Sequence, residues 1–327
     1  PTSRARPKSK AAKKTMANAQ TVSLILGSGG ARGLAHIGVI KELEERGYAI
    51  SSIVGCSMGA LIGGFYAAGK LADYESWVTK LSEWDVVRFL DISLTNRSGM
   101  MKGDLIMNQL RSLVGDRLIE DLPIPFTAVA TDVVNKKEIW LNRGDLFDAI
   151  RASISIPGIF TPKAIDGQTL VDGGLLNPLP VAPATDDRTD VTIAVSLAGR
   201  DVSQPFGPDT VPESGGGIEA YRSRIENFIG TVQEKLGIER PDVQAKERPI
   251  PLTDVLMGMF DTMQTAIARH RLASYPPDIL IEIPANVCQT HEFFKAAQLI
   301  EAGRFWTREN LTRERVGIHN TRPETAP

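Results

Sequence analysis

Cysteine is scarce: Cys56 and Cys288 are the only two in 327 residues. That excludes a disulfide framework and fits a reducing, cytoplasmic compartment. Long apolar runs are missing too. No stretch approaches the ~20 residues of a membrane-spanning helix. The run Val22–Leu26, behind a basic start, is too short for the core of a signal peptide. Histidine is limited to His36, His270, His291 and His319, which narrows the choice of general base. Positive charge is lacking where a nucleic-acid protein would need it. The net charge is −2, yet residues 1–20 carry six bases (Arg4, Arg6, Lys8, Lys10, Lys13, Lys14) and no acid, leaving 31 bases against 39 acids elsewhere. So acidic a body argues against a nucleic-acid partner. The basic tail has no apolar periodicity and reads as disordered.

What is present is the stretch Ile50-Ser-Ser-Ile-Val-Gly-Cys-Ser-Met-Gly-Ala60. A β-branched run ends at Val54, Gly-x-Ser-x-Gly follows at Gly55, Ser57 and Gly59, and a small-residue helix begins behind it. Strand, sharp turn and helix are what a nucleophile elbow needs, because the flanking glycines remove Cβ atoms that would clash with a strained serine. Chance alone supplies roughly 0.15 such patterns from 29 glycines and 19 serines in this length, so the motif is weak by itself. The plain reading is a glycine-lined turn with Ser57 as an N-cap. The functional reading is Ser57 as a nucleophile, with Cys56 as small filler beside it.

The chain around the motif reads as strand, helix, strand, helix, the opening of a parallel sheet with helices on both faces. Residues 21–26 form a first strand. A helix over 34–46 carries apolar residues at 34, 37, 40 and 43, faces Lys41, Glu42, Glu44 and Glu45 to solvent, and stops at Gly47. Residues 71–120 read as mainly helical, with Trp77, Leu81 and Trp84 in the core and Asp104 capping a helix. A hairpin turns at Asn135-Lys136 between strands 126–131 and 137–141. A short helix over 145–152 and a strand end at 169–172 follow, and the run 191–197 reads as the last buried strand of the sheet. Residues 201–250 read as a flexible insertion or lid containing an amphipathic helix over 218–236. The segment 251–310 completes the domain. It offers a helix over 252–272 with Val255, Leu256, Met259, Met263 and Ile267 on one side, a strand at 278–284, and a helix over 293–302 ended by Gly303. Residues 311–327 form a loose tail. The two long helices suit core packing, a membrane surface or a homodimer interface.

A glycine-rich loop, Gly27-Ser-Gly-Gly-Ala-Arg-Gly33, follows the first strand. A dinucleotide site would need Gly or Ala at 32 and an acidic residue at the end of the next strand; Arg32 and Ser51-Ser-Ile-Val54 stand there instead. A phosphate-binding Gly-Lys-Ser/Thr is also missing. The remaining reading is an oxyanion hole, in which backbone N–H groups freed by small residues meet the charge that acyl transfer builds. The serine also needs a base. No histidine sits in a loop built to present it, although Ser57, Asp172 and His291 make a triad on paper. Asp172-Gly173-Gly174 lies at a strand end, where the plain reading is an Asp-Gly turn. As a base, a carboxyl of pKa ~3.9 is too weak unless burial raises it.

In this order, Gly29-Gly30-Ala31-Arg32-Gly33, Gly55-Cys56-Ser57-Met58-Gly59 and Asp172-Gly173-Gly174 resemble the patatin-like phospholipase family, as does Ser153-Ile-Ser-Ile-Pro-Gly-Ile-Phe160. The similarity spans about residues 21–200 and looks closest to small bacterial patatin-like esterases. It implies a three-layer α/β/α fold with a mostly parallel central sheet. It further implies a serine lipid acyl hydrolase of phospholipase A or carboxylesterase type, with no metal or other cofactor. By position Ser57 is the nucleophile, Asp172 the base, and Gly29, Gly30 and Arg32 the oxyanion loop. Gly33, Gly55, Gly59, Gly173 and Gly174 support these motifs. Ser28 stands where many members have glycine, and Gly174 where alanine is frequent, a difference expected to have no consequence. The substrate implied is a lipid or other ester, reached through peripheral membrane contact. Two other readings stay open: an α/β-hydrolase with a Ser-Asp-His triad, and a catalytically silent membrane or regulatory module.

Overall fold

A computed structural model describes residues 19–85, 103–207 and 252–319, with the side chains of 252–254, 257 and 313–319 set aside. The helix expected over 218–236 and residues 1–18 of the expected basic tail lie outside these residues, whereas the tail expected to be loose over 311–327 is helical as far as His319, its remainder lying outside them. Eight strands form one sheet: β1 (Thr21–Leu26), β2 (Ala49–Cys56), β3 (Phe126–Asp132), β4 (Lys137–Leu141), β5 (Lys163–Ile165), β6 (Gln168–Asp172), β7 (Val191–Gly199) and β8 (Ile279–Pro284). Their order is β5-β6-β3-β2-β1-β7-β8, with β4 also on β3. The strands from β3 through β2, β1 and β7 to β8 run parallel, and β4, β5 and β6 pair antiparallel. Side chains alternate across β1. Val22, Leu24 and Leu26 enter the larger core and Ile25 the smaller one on the opposite face, as a strand buried on both sides requires.

Helices cover both faces, giving three layers. They are α1 (Ala35–Glu45), α2 (Met58–Ala67), α3 (Leu71–Val78), α4 (Asp104–Val114), α5 (Leu146–Ser153), α6 (Leu252–Ser274) and α7 (Ala296–His319). Helices α1, α2 and α7 fill the larger core, whereas Ala268 and Leu272 of α6 pack on the opposite face.

One feature of the sheet places the site. β3 has two edges. Ala128 and Val129 pair with both β2 and β4, so those strands lie on opposite edges; Ala130, Thr131 and Asp132 pair with both β4 and β6. β2 and β6 therefore share one edge of β3. β2 runs parallel to it and ends at Cys56 beside Val129. β6 runs antiparallel and ends at Asp172 beside Ala130. The two strand ends meet head-on, and the residues there are Ser57 and Asp172.

Several expectations change for identifiable reasons. β7 does not close the sheet, since β8 adds to it in parallel; the intervening excursion hides that pairing from local reading. Gly303 does not end the last helix. α7 runs through it, because a Cβ at Gly303 would fall 2.0 Å from the Ala35 carbonyl oxygen and one at Gly38 would fall 1.8 Å from that of Ile300. The two glycines let α1 and α7 cross in backbone contact. α7 also covers Glu42, expected on the solvent face but 5% exposed and paired with Arg46, Arg304 and Arg308. Trp84 is 73% exposed rather than core. Gly103, in the left-handed conformation, precedes α4, and Asp104 is its first residue. On α6 the residues expected to pack, Val255, Leu256, Met259 and Met263, are exposed, and the buried face is Gln264 and Ala268.

The helix crossing gives a stability test. Gly38→Ala and Gly303→Ala should each lower stability by about 1–3 kcal/mol, the usual cost of overpacking. Gly258→Ala on α6, where a Cβ meets nothing within 4 Å, should be neutral or stabilise by about 0.5–1 kcal/mol. Thermal melting of the three variants checks the contrast.

Candidate active site

β2 delivers Ser57 into a sharp turn at φ 54°, ψ −121°. A non-glycine residue at positive φ is strained by about 1–3 kcal/mol and persists only where its surroundings fix it. A Cβ at Gly55 would fall 2.4 Å from the Gly59 carbonyl oxygen, and one at Gly59 would fall 2.0 Å from that of Leu26. Both positions must lack side chains for α2 to start so close to β1 and β2. Ser57 does stand at the N-cap of α2, but its side chain makes no capping bond. Instead Oγ donates to Asp172 Oδ2 at 2.6 Å.

The Ser153–Phe160 segment fastens both partners. The Ser57 amide donates to Ser153 Oγ at 2.9 Å, and that hydroxyl donates to the Val129 carbonyl at 2.6 Å. The Asp172 amide donates to the Ser155 carbonyl at 2.9 Å. Asp172 Oδ1 accepts the Gly174 amide at 2.7 Å, so the expected Asp-Gly turn is present together with the serine contact. A Cβ at Gly173 would fall 2.2 Å from the Val129 carbonyl oxygen. Asp172 is fully buried. Desolvation raises its carboxyl to about 7, against the opposing pull of the Ser57 and Gly174 hydrogen bonds. The weakness of an ordinary carboxylate as a base is thereby removed. Burial, with the charges of Asp172 and Glu138, drives the Cys56 thiol the other way for reactivity: its pKa rises and it stays protonated.

The glycine-rich loop faces this pair. The amides of Gly27, Ser28 and Ala31 donate to the carbonyls of Val195, Pro178 and Thr290. Among the described residues, the Gly29 and Gly30 amides meet no acceptor. Arg32 is buried. Its Nε donates to the Gly29 carbonyl at 3.2 Å, and its other arm pairs with Asp261 on α6. In a trans peptide the carbonyl and the next N–H point opposite ways, so this bond turns the Gly30 N–H away from the guanidinium. Gly33 lets the loop close on the elbow, since a Cβ there would fall 2.4 Å from that of Met58.

Among the described residues no histidine joins Ser57 or Asp172. The His36 ring nitrogen Nε2 bonds the Gly27 carbonyl at 2.8 Å, and burial lowers its pKa to about 4. The ring is neutral and props the loop. His291 lines the cavity and His270 is exposed. Among the described residues no group of three or more His, Cys, Asp or Glu is arranged to hold a metal ion.

A cavity of about 770 Å³ opens over Ser57. Its lining is largely apolar, with Leu61, Trp77, Leu81, Ile106, Ile159 and Phe160 among others, and includes the polar residues Ser28, Arg32, Asp261, Gln264, Gln289 and His291. The α6 contribution had no local signal in sequence. It is tied down by Arg32–Asp261, by Ser28 Oγ donating to Gln264 Oε1 at 3.2 Å, and by Arg271 donating to Glu138 at 3.0 Å. A Cβ at Gly174 would fall 1.9 Å from Gln264 Nε2, the movable end of that side chain.

Two outcomes follow. Ser153→Ala leaves the Ser57 amide and the Val129 carbonyl unpaired in a buried site, which should cost about 1–3 kcal/mol for each group that water cannot reach; denaturant unfolding measures it. The second concerns pH. Folded, Asp172 keeps its proton up to about 7; unfolded, it releases it near its ordinary pKa of ~3.9. Its contribution therefore favours the fold below about pH 4 and is lost as pH rises through about 7. Asp172→Asn should gain in melting temperature relative to the parent between pH 5 and pH 8, and a constant difference would contradict the raised carboxyl.

Comparison with known proteins places the chain among relatives. The family described as Patatin-like phospholipase matches residues 24–185. An uncharacterized NTE family protein of Mycobacterium tuberculosis is 39% identical over 321 residues, covering 86% of this chain and 89% of that one. Mouse patatin-like phospholipase domain-containing protein 6 is 32% identical over 188 residues, covering 55% of this chain and 14% of that one. The crystal structure of VipD from Legionella pneumophila overlays with a TM-score of 0.42 at 15% identity, over 90% of this chain and 67% of that one. With its three-layer fold and these relatives, the chain belongs to the patatin-like phospholipase family.

Proposed function

We propose that the protein is a serine lipid acyl hydrolase, of phospholipase A or carboxylesterase type, working through a Ser57–Asp172 dyad. The observation that carries this is the 2.6 Å bond from Ser57 Oγ to a fully buried carboxyl whose pKa is raised to about 7. At neutral pH a substantial fraction of Asp172 is ionised and can take the Ser57 proton as Oγ attacks an ester carbonyl. The charge that builds on the carbonyl oxygen is met by the Gly29 and Gly30 amides, with Arg32 holding the loop in shape. Asp172 returns the proton to the departing alcohol, leaving Ser57 acylated. Water then gives its proton to Asp172, attacks the acyl carbon and frees the acid. No metal or other cofactor enters the scheme.

The cavity supports an amphiphilic ester as substrate. The acyl chain lies along the Trp77–Ile106–Phe160 wall, and the alcohol side lies along Arg32, Asp261 and His291. The exposed apolar residues of α6, Val255, Leu256 and Met259, support peripheral contact with a lipid surface beside the cavity. No helix among the described residues is long and apolar enough to cross a membrane.

Ser57→Ala and Asp172→Asn should each reduce hydrolysis of a chromogenic ester by on the order of 10³-fold or more, with folding intact, as losses of a nucleophile or its base do elsewhere. A combined His270 and His291 alanine variant, which leaves the loop prop His36 in place, should keep a Ser57 that still forms an acyl-enzyme. Full turnover in Asp172→Asn sinks the dyad.

A further inference from the structure

The dyad reading leaves one buried polar atom without a role. Gln264 of α6 is 8% exposed, and its Nε2 has no hydrogen-bond partner among the described residues. Its Oε1 is held by Ser28 Oγ, so the amide is turned with its N–H groups toward the dyad. Gly174 bounds the separation: the point where a Cβ would stand is 1.9 Å from Gln264 Nε2 and 3.0 Å from Asp172 Oδ1, so the amide nitrogen lies within their sum, 4.9 Å, of that carboxyl oxygen. The reverse turn of the amide would aim an acceptor oxygen at a carboxylate, which electrostatics disfavours. A donor buried without an acceptor lowers stability. Its retention is explained if the acceptor arrives only with the reaction, the condition under which an interaction speeds chemistry rather than binding.

The cavity says which oxygen that is. The apolar lining suits the acyl chain, which leaves the departing alcohol to the polar lining residues, Gln264 among them. In the second half-reaction water must occupy the same place, beside Asp172, to give up its proton. Building on the dyad reading, we propose that Gln264 Nε2 donates to the oxygen that leaves Ser57's substrate and to the water oxygen that replaces it. In acylation the ester C–O bond breaks, the proton held by Asp172 passes to the alkoxide oxygen, and Nε2–H steadies that oxygen. In deacylation the water proton passes to Asp172, the water oxygen bonds to the acyl carbon, and Ser57 Oγ leaves and recovers the proton. Ser28, where the family often has glycine, acquires a purpose: its hydroxyl sets the orientation of this amide.

A p-nitrophenyl ester separates the two steps, because its leaving group departs without help. Gln264→Met keeps the volume and removes the donor; Gln264→Glu keeps the shape and substitutes an acceptor. Stopped-flow bursts and intact-mass occupancy of Ser57 are measured for each. Both variants should acylate within about twofold of the parent and deacylate on the order of 10- to 100-fold more slowly, the loss typical of one donor or less, so acyl-enzyme accumulates. Gln264→Met should melt no lower than the parent, since it removes an unpaired buried donor. Equal slowing of both steps, or unchanged partitioning in both variants, overturns the Gln264 role while leaving the dyad in place. A parent protein that never acylates at Ser57 overturns the dyad reading and this role together.

Discussion

The bond between Ser57 and Asp172 exists because two strands end head-on against one edge of β3. Neither residue could find the other through local structure, since 115 positions separate them. The sheet solves the problem by register. β2 climbs β3 to Val129, β6 descends to Ala130, and the two turn residues are left within hydrogen-bond distance. Everything else in the site defends that meeting. Ser153 and Ser155 hold the two backbones through one short segment, and glycines at 55, 59 and 173 let helix, strand and turn approach without side chains between them.

Burial then determines the chemistry. An exposed aspartate is too weak a base to serve a hydroxyl. Enclosed by the sheet and α6, Asp172 loses water, and its carboxyl rises to about 7 despite two hydrogen bonds that favour the ionised form. The same enclosure works on neighbours in the opposite functional sense. The Cys56 thiol is held protonated and His36 is held neutral. Desolvation is thus the largest influence on all three groups, and for Asp172 it gives up stability at neutral pH.

The sequence disclosed what depends on local backbone demands. Gly55, Ser57 and Gly59 announce a strained turn, and the glycines of 27–33 a loop in close backbone approach to its neighbours, because a Cβ at these glycines would clash. The strand–helix alternation announced a parallel sheet. What stayed hidden depends on contacts across long separations. Gly303 looked like a helix end, but it is a contact against α1. Glu42 looked solvent-facing until α7 covered it with arginines. α6 misled most. Its apolar residues pointed to a buried face, whereas the face it buries carries Gln264 and Ala268, with the half-exposed Asp261 beside them reaching Arg32. A helix that roofs a reaction centre cannot be read by hydrophobic periodicity.

The central claim is that Asp172, raised by burial, is the base that activates Ser57. The most direct measurement is the rate at which a fluorophosphonate modifies Ser57 as a function of pH, followed by intact mass. The account predicts a single rise with a midpoint near about 7, unchanged in the combined histidine variant and abolished in Asp172→Asn. A rise that disappears with the histidines, or modification that proceeds at full rate in Asp172→Asn, would contradict it.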